Sequence, residues 1–277
     1  MAILLCAILV GSGCATSGPN HIYLTTAASA AVRDIGPTPA AVEGAVAPGE
    51  RVTGLAYDFN TDHLFLRITP AQVIRVIERP SGKILREMPL PWSVPMDTAP
   101  ADIRPDEGRW TDPVRPAGLN RAPRAPSREQ PGAALAIRSS DRHLFAAYPD
   151  GRSIVELTLF GGFVRRLELR GADDPVAGLA YDQKNERLLV LTATSPARIG
   201  YVAPDGSVTY YVTLPAPVRP VSLGFDSDAQ HAFVPLADGT SLGEFDAAGA
   251  LVRTHPTGDT GAITAIDAGP RSFVRVF

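Results

Sequence analysis

Short runs in which apolar and polar residues alternate, each closed by a polar turn, recur along most of this chain. The clearest is VTGLAYDFNTDHLFL, residues 52–66, with a near twin in VAGLAYDQKNERLLV, residues 176–190. Alternation of period two is the pattern of a half-buried strand. Aligned on that phrase, the chain holds four copies: GLAYDFNTDHLFL from 54, ALAIRSSDRHLFA from 134, GLAYDQKNERLLV from 178 and SLGFDSDAQHAFV from 222. Two successive starts differ by 44 residues, whereas the interval from 54 to 134 is 80 and contains an insertion.

Each copy opens with an alternating strand, a polar turn and a second strand such as His63-Leu64-Phe65-Leu66. Asp150-Gly151 and Asp238-Gly239 mark a middle turn, and Gly82, Gly162, Gly206 and Gly249 mark a late one, 28 residues after the copy start in the first three and 27 in the last. Asp-Gly between apolar runs is a strong hairpin signal, because glycine reaches positive φ at little cost. Each copy is therefore expected to be four antiparallel strands, and units of this kind, of about 40–45 residues, are β-propeller blades. After the first twenty residues, HIYLTTAASAAVRDI reads as a copy without its first strand, and the C-terminal AITAIDAGPRSFVRVF supplies a first strand, with or without a second. Completing one blade from both termini would close the ring and remove exposed sheet edges. The expected fold is all-β, a propeller of five blades, with six as the alternative if the insertion at 93–132 is a degenerate blade. That segment holds eight prolines and six arginines and no run of strand formers, which favours a loop.

The GLAYD-like first strand and the late turns PSGKIL and PDGSVT make the chain resemble the NHL and YVTN-type β-propellers, over roughly residues 21–277. The resemblance implies architecture and not chemistry.

The N-terminus, MAILLCAILVGSGCATSG, has an apolar run from Ala2 to Val10, shorter than a membrane span needs. GSGCATS resembles the lipobox of bacterial lipoproteins, which implies a signal peptide over 1–13, lipidation at Cys14 and a short tether over 14–20 before the propeller at 21–277. No Lys or Arg precedes the apolar run, and Gly11 stands where Leu is usual. An ordinary secretory signal is the alternative. Cys6 falls in the segment to be removed, so the mature chain would keep a single cysteine and could form no internal disulfide or cysteine-metal site. Ala15 follows Cys14 where, in the lipoproteins it resembles, an Asp would signal inner-membrane retention, which points to the outer membrane, facing the periplasm or the exterior. With 26 basic and 29 acidic residues and a formal charge of -3, the chain lacks the basic excess of a nucleic-acid binder.

Candidate chemistry is sparse. Asp58, Asp182, Asp226 and Asp267 end first strands, where an Asx-turn would use the carboxylate. His21, His63, His143 and His231 share one repeat position, with Arg187 in that place in another copy. Radially spaced equivalents cannot share one ion, so turn packing is expected. There is no GxSxG or HExxH, and a metal-dependent lactonase of the gluconolactonase-like kind, built on Glu, Asn and Asp, fits poorly with only Asn20, Asn60, Asn120 and Asn185 available. Asp173 and Asp174 precede a first strand on the face where propellers commonly bind ligands, although adjacency before Pro175 also reads as a solvated turn. The insertion, on the same face, carries Trp110 with Arg104, Arg109, Arg115, Arg121, Arg124 and Arg128, residue types enriched in binding hot spots. The expectation is thus a lipid-anchored binding or scaffolding module of the cell envelope, without a cofactor and without catalysis of its own. Its partner would be an envelope protein or polymer. A hydrolase of lactonase or phosphoesterase type, using a divalent metal such as calcium, is the alternative.

Overall fold

In the computed structural model, which describes residues 21–37, 39–93 and 133–269, each copy of the repeated phrase is the innermost strand of a four-stranded antiparallel sheet. The first blade begins with β1 (His21–Thr26), β2 (Val32–Asp34) and β3 (Ala40–Val42). The second holds β4 (Arg51–Asp58), β5 (His63–Thr69), β6 (Val73–Glu78) and β7 (Ile84–Pro89). The third holds β8 (Leu135–Arg138), β9 (His143–Ala147), β10 (Ser153–Thr158) and β11 (Phe163–Glu168). The fourth holds β12 (Val176–Asp182), β13 (Arg187–Thr192), β14 (Arg198–Val202) and β15 (Val208–Thr213). The fifth holds β16 (Gly224–Asp226), β17 (His231–Pro235), β18 (Ser241–Phe245) and β19 (Leu251–Pro256). Last comes β20 (Ile263–Gly269), which returns to the first blade and pairs with β1 from His21↔Gly269 to Thr26↔Ile263. Both ends of the chain therefore complete one sheet, as the split copy predicts.

Burial follows distance from the axis. All seven residues of β12 are buried, because an inner strand is covered on both faces by neighbouring blades, whereas the outer strand β15 alternates between half-buried and exposed. Five apolar clusters fill the five spaces between adjacent blades. Phe65, Phe145 and Phe233 occupy one repeat position, the third residue of the second strand, and all three are almost fully buried. A small residue opens the repeated phrase for a different reason. A Cβ on Gly54 would lie 2.3 Å from the Ala133 carbonyl oxygen, and one on Gly178 would lie 2.8 Å from the Leu223 nitrogen, so the next inner strand passes too close for any side chain.

The same approach decides the blade count. The cluster of Ala56, Phe65, Ile74, Leu135, Ile137 and Leu144 joins the second blade directly to the third, so no sixth blade stands between them. The propeller has five blades.

The turns after the first strands form as expected in three copies. Asp58 Oδ1 accepts the Asn60 N–H at 3.1 Å, Asp182 Oδ1 the Lys184 N–H at 3.1 Å, and Asp226 Oδ1 the Asp228 N–H at 2.9 Å. Asp267 departs from the pattern. β20 runs on to Gly269 to stay paired with β1, and the carboxylate accepts instead the Tyr57 N–H of the next blade at 2.9 Å. The late turn of the third blade also differs by one position, since Gly161 and not Gly162 takes positive φ.

Candidate binding face

Because the strands alternate in direction, the links from outer strand to next inner strand and the second-to-third turns share one face, called here the entry face. The turns after the first strands lie on the opposite, exit face. The insertion leaves and returns on the entry face. Its departure is anchored by a 3-10 turn at Pro91–Ser93, with the Leu90 N–H donating to the Gln72 carbonyl at 3.2 Å and the Ser93 N–H to the Leu90 carbonyl at 2.8 Å. Its return is anchored where Ala133 presses on Gly54.

A stack of cations and rings is built at this root. The Arg67 guanidinium lies 5.0 Å from the centre of the Trp92 ring, Trp92 meets Tyr148 edge-on at 4.9 Å, and Arg166 lies over the Tyr148 ring at 4.4 Å. Such contacts contribute roughly 0.5–2 kcal/mol each, more where water is excluded. Arg67 is buried, and burial lowers its pKa to about 10. Its Nη1 donates to the Ala147 carbonyl at 2.8 Å, which ties the second blade to the third. The Trp92 indole N–H is buried and has no hydrogen-bond partner among the described residues. Trp92 is one of only two tryptophans and adjoins the insertion, yet a boundary drawn at 93 left it out of the expected site.

Asp173 and Asp174 also lie on the entry face, and the structure separates their roles. Asp173 is exposed. Asp174 Oδ2 accepts from Arg198 Nη2 at 2.8 Å and from Thr194 Oγ1 at 3.1 Å, and Arg198 in turn stacks 4.0 Å from the Tyr210 ring. Burial raises the Tyr210 phenol above its ordinary range. Asp174 therefore braces the second-to-third turn of the fourth blade. Cys14, Arg104, Arg109, Trp110 and Arg115, with Arg121, Arg124 and Arg128, lie outside the described residues.

His143, His231 and His255 bond within their own blades, whereas His21 meets Tyr57 of the second blade edge-on at 4.6 Å. His143 Nδ1 is 2.6 Å from Glu156 Oε1, and Glu244 joins His231 at 2.7 Å to His255 at 2.8 Å. Asp141, His143 and Glu156 together have the donor set of a metal site. Arg138 already supplies the positive charge there, reaching Glu156 at 2.6 Å and Asp141 at 2.5 Å, while Arg165 holds the other Glu156 oxygen at 2.5 Å. Burial pushes the Glu156 carboxyl up, and the hydrogen bonds from Arg165 and His143 outweigh it, so the group sits below the usual carboxylate range. A metal ion would have to displace two guanidinium groups, so the residues do not fit one.

At the exit face the axis is narrowed by side chains that stitch neighbouring inner strands. Gln183 donates to the Ile137 carbonyl at 2.6 Å and accepts the Ser139 N–H at 3.0 Å, while Asn60 donates to the Ser139 carbonyl at 3.2 Å. Asn60 is engaged in this way, and Asn185 donates to Asp182 Oδ2 of its own turn at 2.7 Å. The remaining axial cavity is about 20 Å³, room for about one water molecule and not for a substrate.

No known protein family and no curated protein matches this sequence. Solved structures do match the fold. A chain from the crystal structure of a nidogen/laminin complex is similar over 90% of this chain and 97% of its own length, with a TM-score of 0.55 at 12% identity. A Bacteroides caccae protein of unknown function has a TM-score of 0.44 at 14% identity over 87% of this chain and 74% of its own. Hydrazine synthase of Kuenenia stuttgartiensis has a TM-score of 0.43 at 10% identity over 74% of this chain and 49% of its own.

Proposed function

We propose that this chain is an extracytoplasmic β-propeller, tethered to the outer membrane through Cys14, that serves as a binding or scaffolding module of the cell envelope. The observation that carries the reading is the stack Arg67–Trp92–Tyr148–Arg166 at the root of the insertion. It rigidifies the site from which an Arg- and Trp-bearing segment leaves the entry face, and rigid roots reduce the ordering cost of binding. The similarity in fold to a chain from a nidogen/laminin complex agrees with a protein partner. On that face Asp174 is spent on holding a turn, through Arg198 and Thr194, which suits adhesion better than turnover.

Replacing residues 96–130 by a short Gly-Ser bridge is expected to leave the melting transition nearly unchanged, since loop-closure cost varies slowly with length. Partners recovered from envelope extract by the parent should be lost. An unchanged set of partners would reduce the segment to a linker and overturn the reading. The anchor is tested separately: Cys14→Ser is expected to move the protein from the membrane to the soluble fraction, and a mature N-terminus without lipid in mass spectrometry of the parent would refute it.

A further inference from the structure

The repeat allows the protein to be compared with itself. In the third and fifth blades the residue opening the second strand is a histidine bonded to a buried glutamate, His143 to Glu156 and His231 to Glu244. Those glutamates face Phe145 and Phe233 across the sheet, two residues into the second strand. The equivalent pair in the fourth blade is Leu189 facing Tyr201, and the strand opens with Arg187. The ion pair is thus replaced by a guanidinium 5.3 Å from the centre of a tyrosine ring. At this departure the structure has a groove of about 210 Å³ on the exit side, between the fourth and fifth blades.

The groove has an apolar floor that includes Leu189 and Phe225, and a polar rim. On the rim, the Arg187 side chain is exposed and its guanidinium makes no hydrogen bond or ion pair with the described residues. Asp246 uses Oδ1 to accept the Ala248 and Ala250 N–H groups, both at 2.9 Å, which leaves Oδ2 as an acceptor. Asp182 and Gln230 close the inner end, bonded to each other at 3.2 Å and so fixed in place. Tyr211 forms one wall with 45% of its surface exposed. Burial of its hydroxyl, with the Asp182 carboxylate adding to the effect, nevertheless pushes the phenol up to about 12. The hydroxyl is thus the more buried end of the side chain, and the ring lines the groove.

We propose that this groove is a binding site for one pyranose ring of a neutral saccharide, stacked on Tyr211 and hydrogen-bonded by Arg187 and Asp246. A sugar hydroxyl both donates and accepts, so a donor-only guanidinium and an acceptor-only carboxylate on one rim suit it. The C–H face of the ring suits tyrosine and the apolar floor, in the usual pattern of a mostly apolar pocket with a few placed polar groups. Two carboxylates, Asp182 and Asp246, against one guanidinium leave the rim negative, which disfavours an anionic ligand. This site is on the face opposite the one that carries Trp92 and Ala133, and it stands independently of the function proposed above.

Saturation-transfer NMR on the full chain tests it, with methyl β-D-glucopyranoside, methyl β-D-galactopyranoside and N-acetylglucosamine as probes, and acetate and ethylammonium as charged controls. At least one saccharide is expected to bind saturably. Arg187→Gln and Tyr211→Ala should each weaken it by about tenfold or more, the loss expected of a binding anchor. Arg187 is exposed, so its variant should hardly move the melt, and Arg152→Gln, at an exposed arginine on the other face, should bind like the parent. The proposal is overturned if no saccharide binds, if only a charged control does, or if both groove variants bind like the parent.

Discussion

Removal of residues 262–277 is expected to abolish the cooperative melt of the protein. β20 is the inner strand of the first blade, and it is held from three sides. Arg219 donates to the Ile263 carbonyl at 2.8 Å and the Ile266 N–H donates to Ser222 Oγ at 3.0 Å, both across the boundary with the fifth blade. Asp267 accepts the Tyr57 N–H of the second blade at 2.9 Å. Ile263 and Ile266 are fully buried, and burying two such side chains contributes roughly 3–6 kcal/mol. That is a large part of the ~5–15 kcal/mol by which a domain is usually stable. The deletion would also leave β1, all six of whose residues are buried, as an open edge. Thermal unfolding followed by circular dichroism reads the outcome. A truncated chain that melts like its parent would show that the first blade stands without its inner strand.

The second large effect is expected from Gly54→Val. The new Cβ would sit 2.3 Å from the Ala133 carbonyl oxygen and 3.2 Å from the Leu135 nitrogen, and both are backbone atoms that cannot turn aside. Relief requires β4 and β8 to separate, which opens the cluster of Phe65, Leu135 and Ile137 between the second and third blades. Overpacking of this kind costs about 3 kcal/mol, and a loss of that size lowers Tm by roughly 6–12 °C in a chain of this length. Gly54→Ala should show the same sign, since the clash begins at Cβ. A Tm unchanged for Val would mean that the blades tolerate separation at the axis.

The architecture was legible in the chain because each blade is a local object. Its strands are joined by short turns, so the spacing of Asp58-like turns, of Asp150-Gly151 and of the late glycines carries most of its plan. The split copy at the termini was legible for the same reason: HIYLTT and ITAID are recognisable as the second and first strands of one unit. Local signals mislead where a residue answers to another blade. Asp267 has the sequence position of a turn former, but it bonds to Tyr57, and the turn it would begin is replaced by continued pairing with β1.

The candidate sites were legible only in fragments. The adjacent Asp173 and Asp174 were visible as a pair, but not that Asp174 alone is committed to Arg198, 24 residues away. Trp92 was visible as a rare residue, but its contacts Arg67 and Tyr148 come from two different blades. Arg187 was visible as the odd member of a histidine series, with no sign that the substitution opens a groove.

By itself, then, the sequence determined the blade, its repeat length, its turns and the closure of the ring, because these depend on period-two burial and on residues a few positions apart. Only the tertiary structure decided that the second blade packs directly on the third, and that the fourth and fifth leave a groove between them. Those outcomes depend on how close two inner strands come and on which side chains fill the wedge between two twisted sheets, and residues that meet there are set by packing across blades and not by their spacing along the chain.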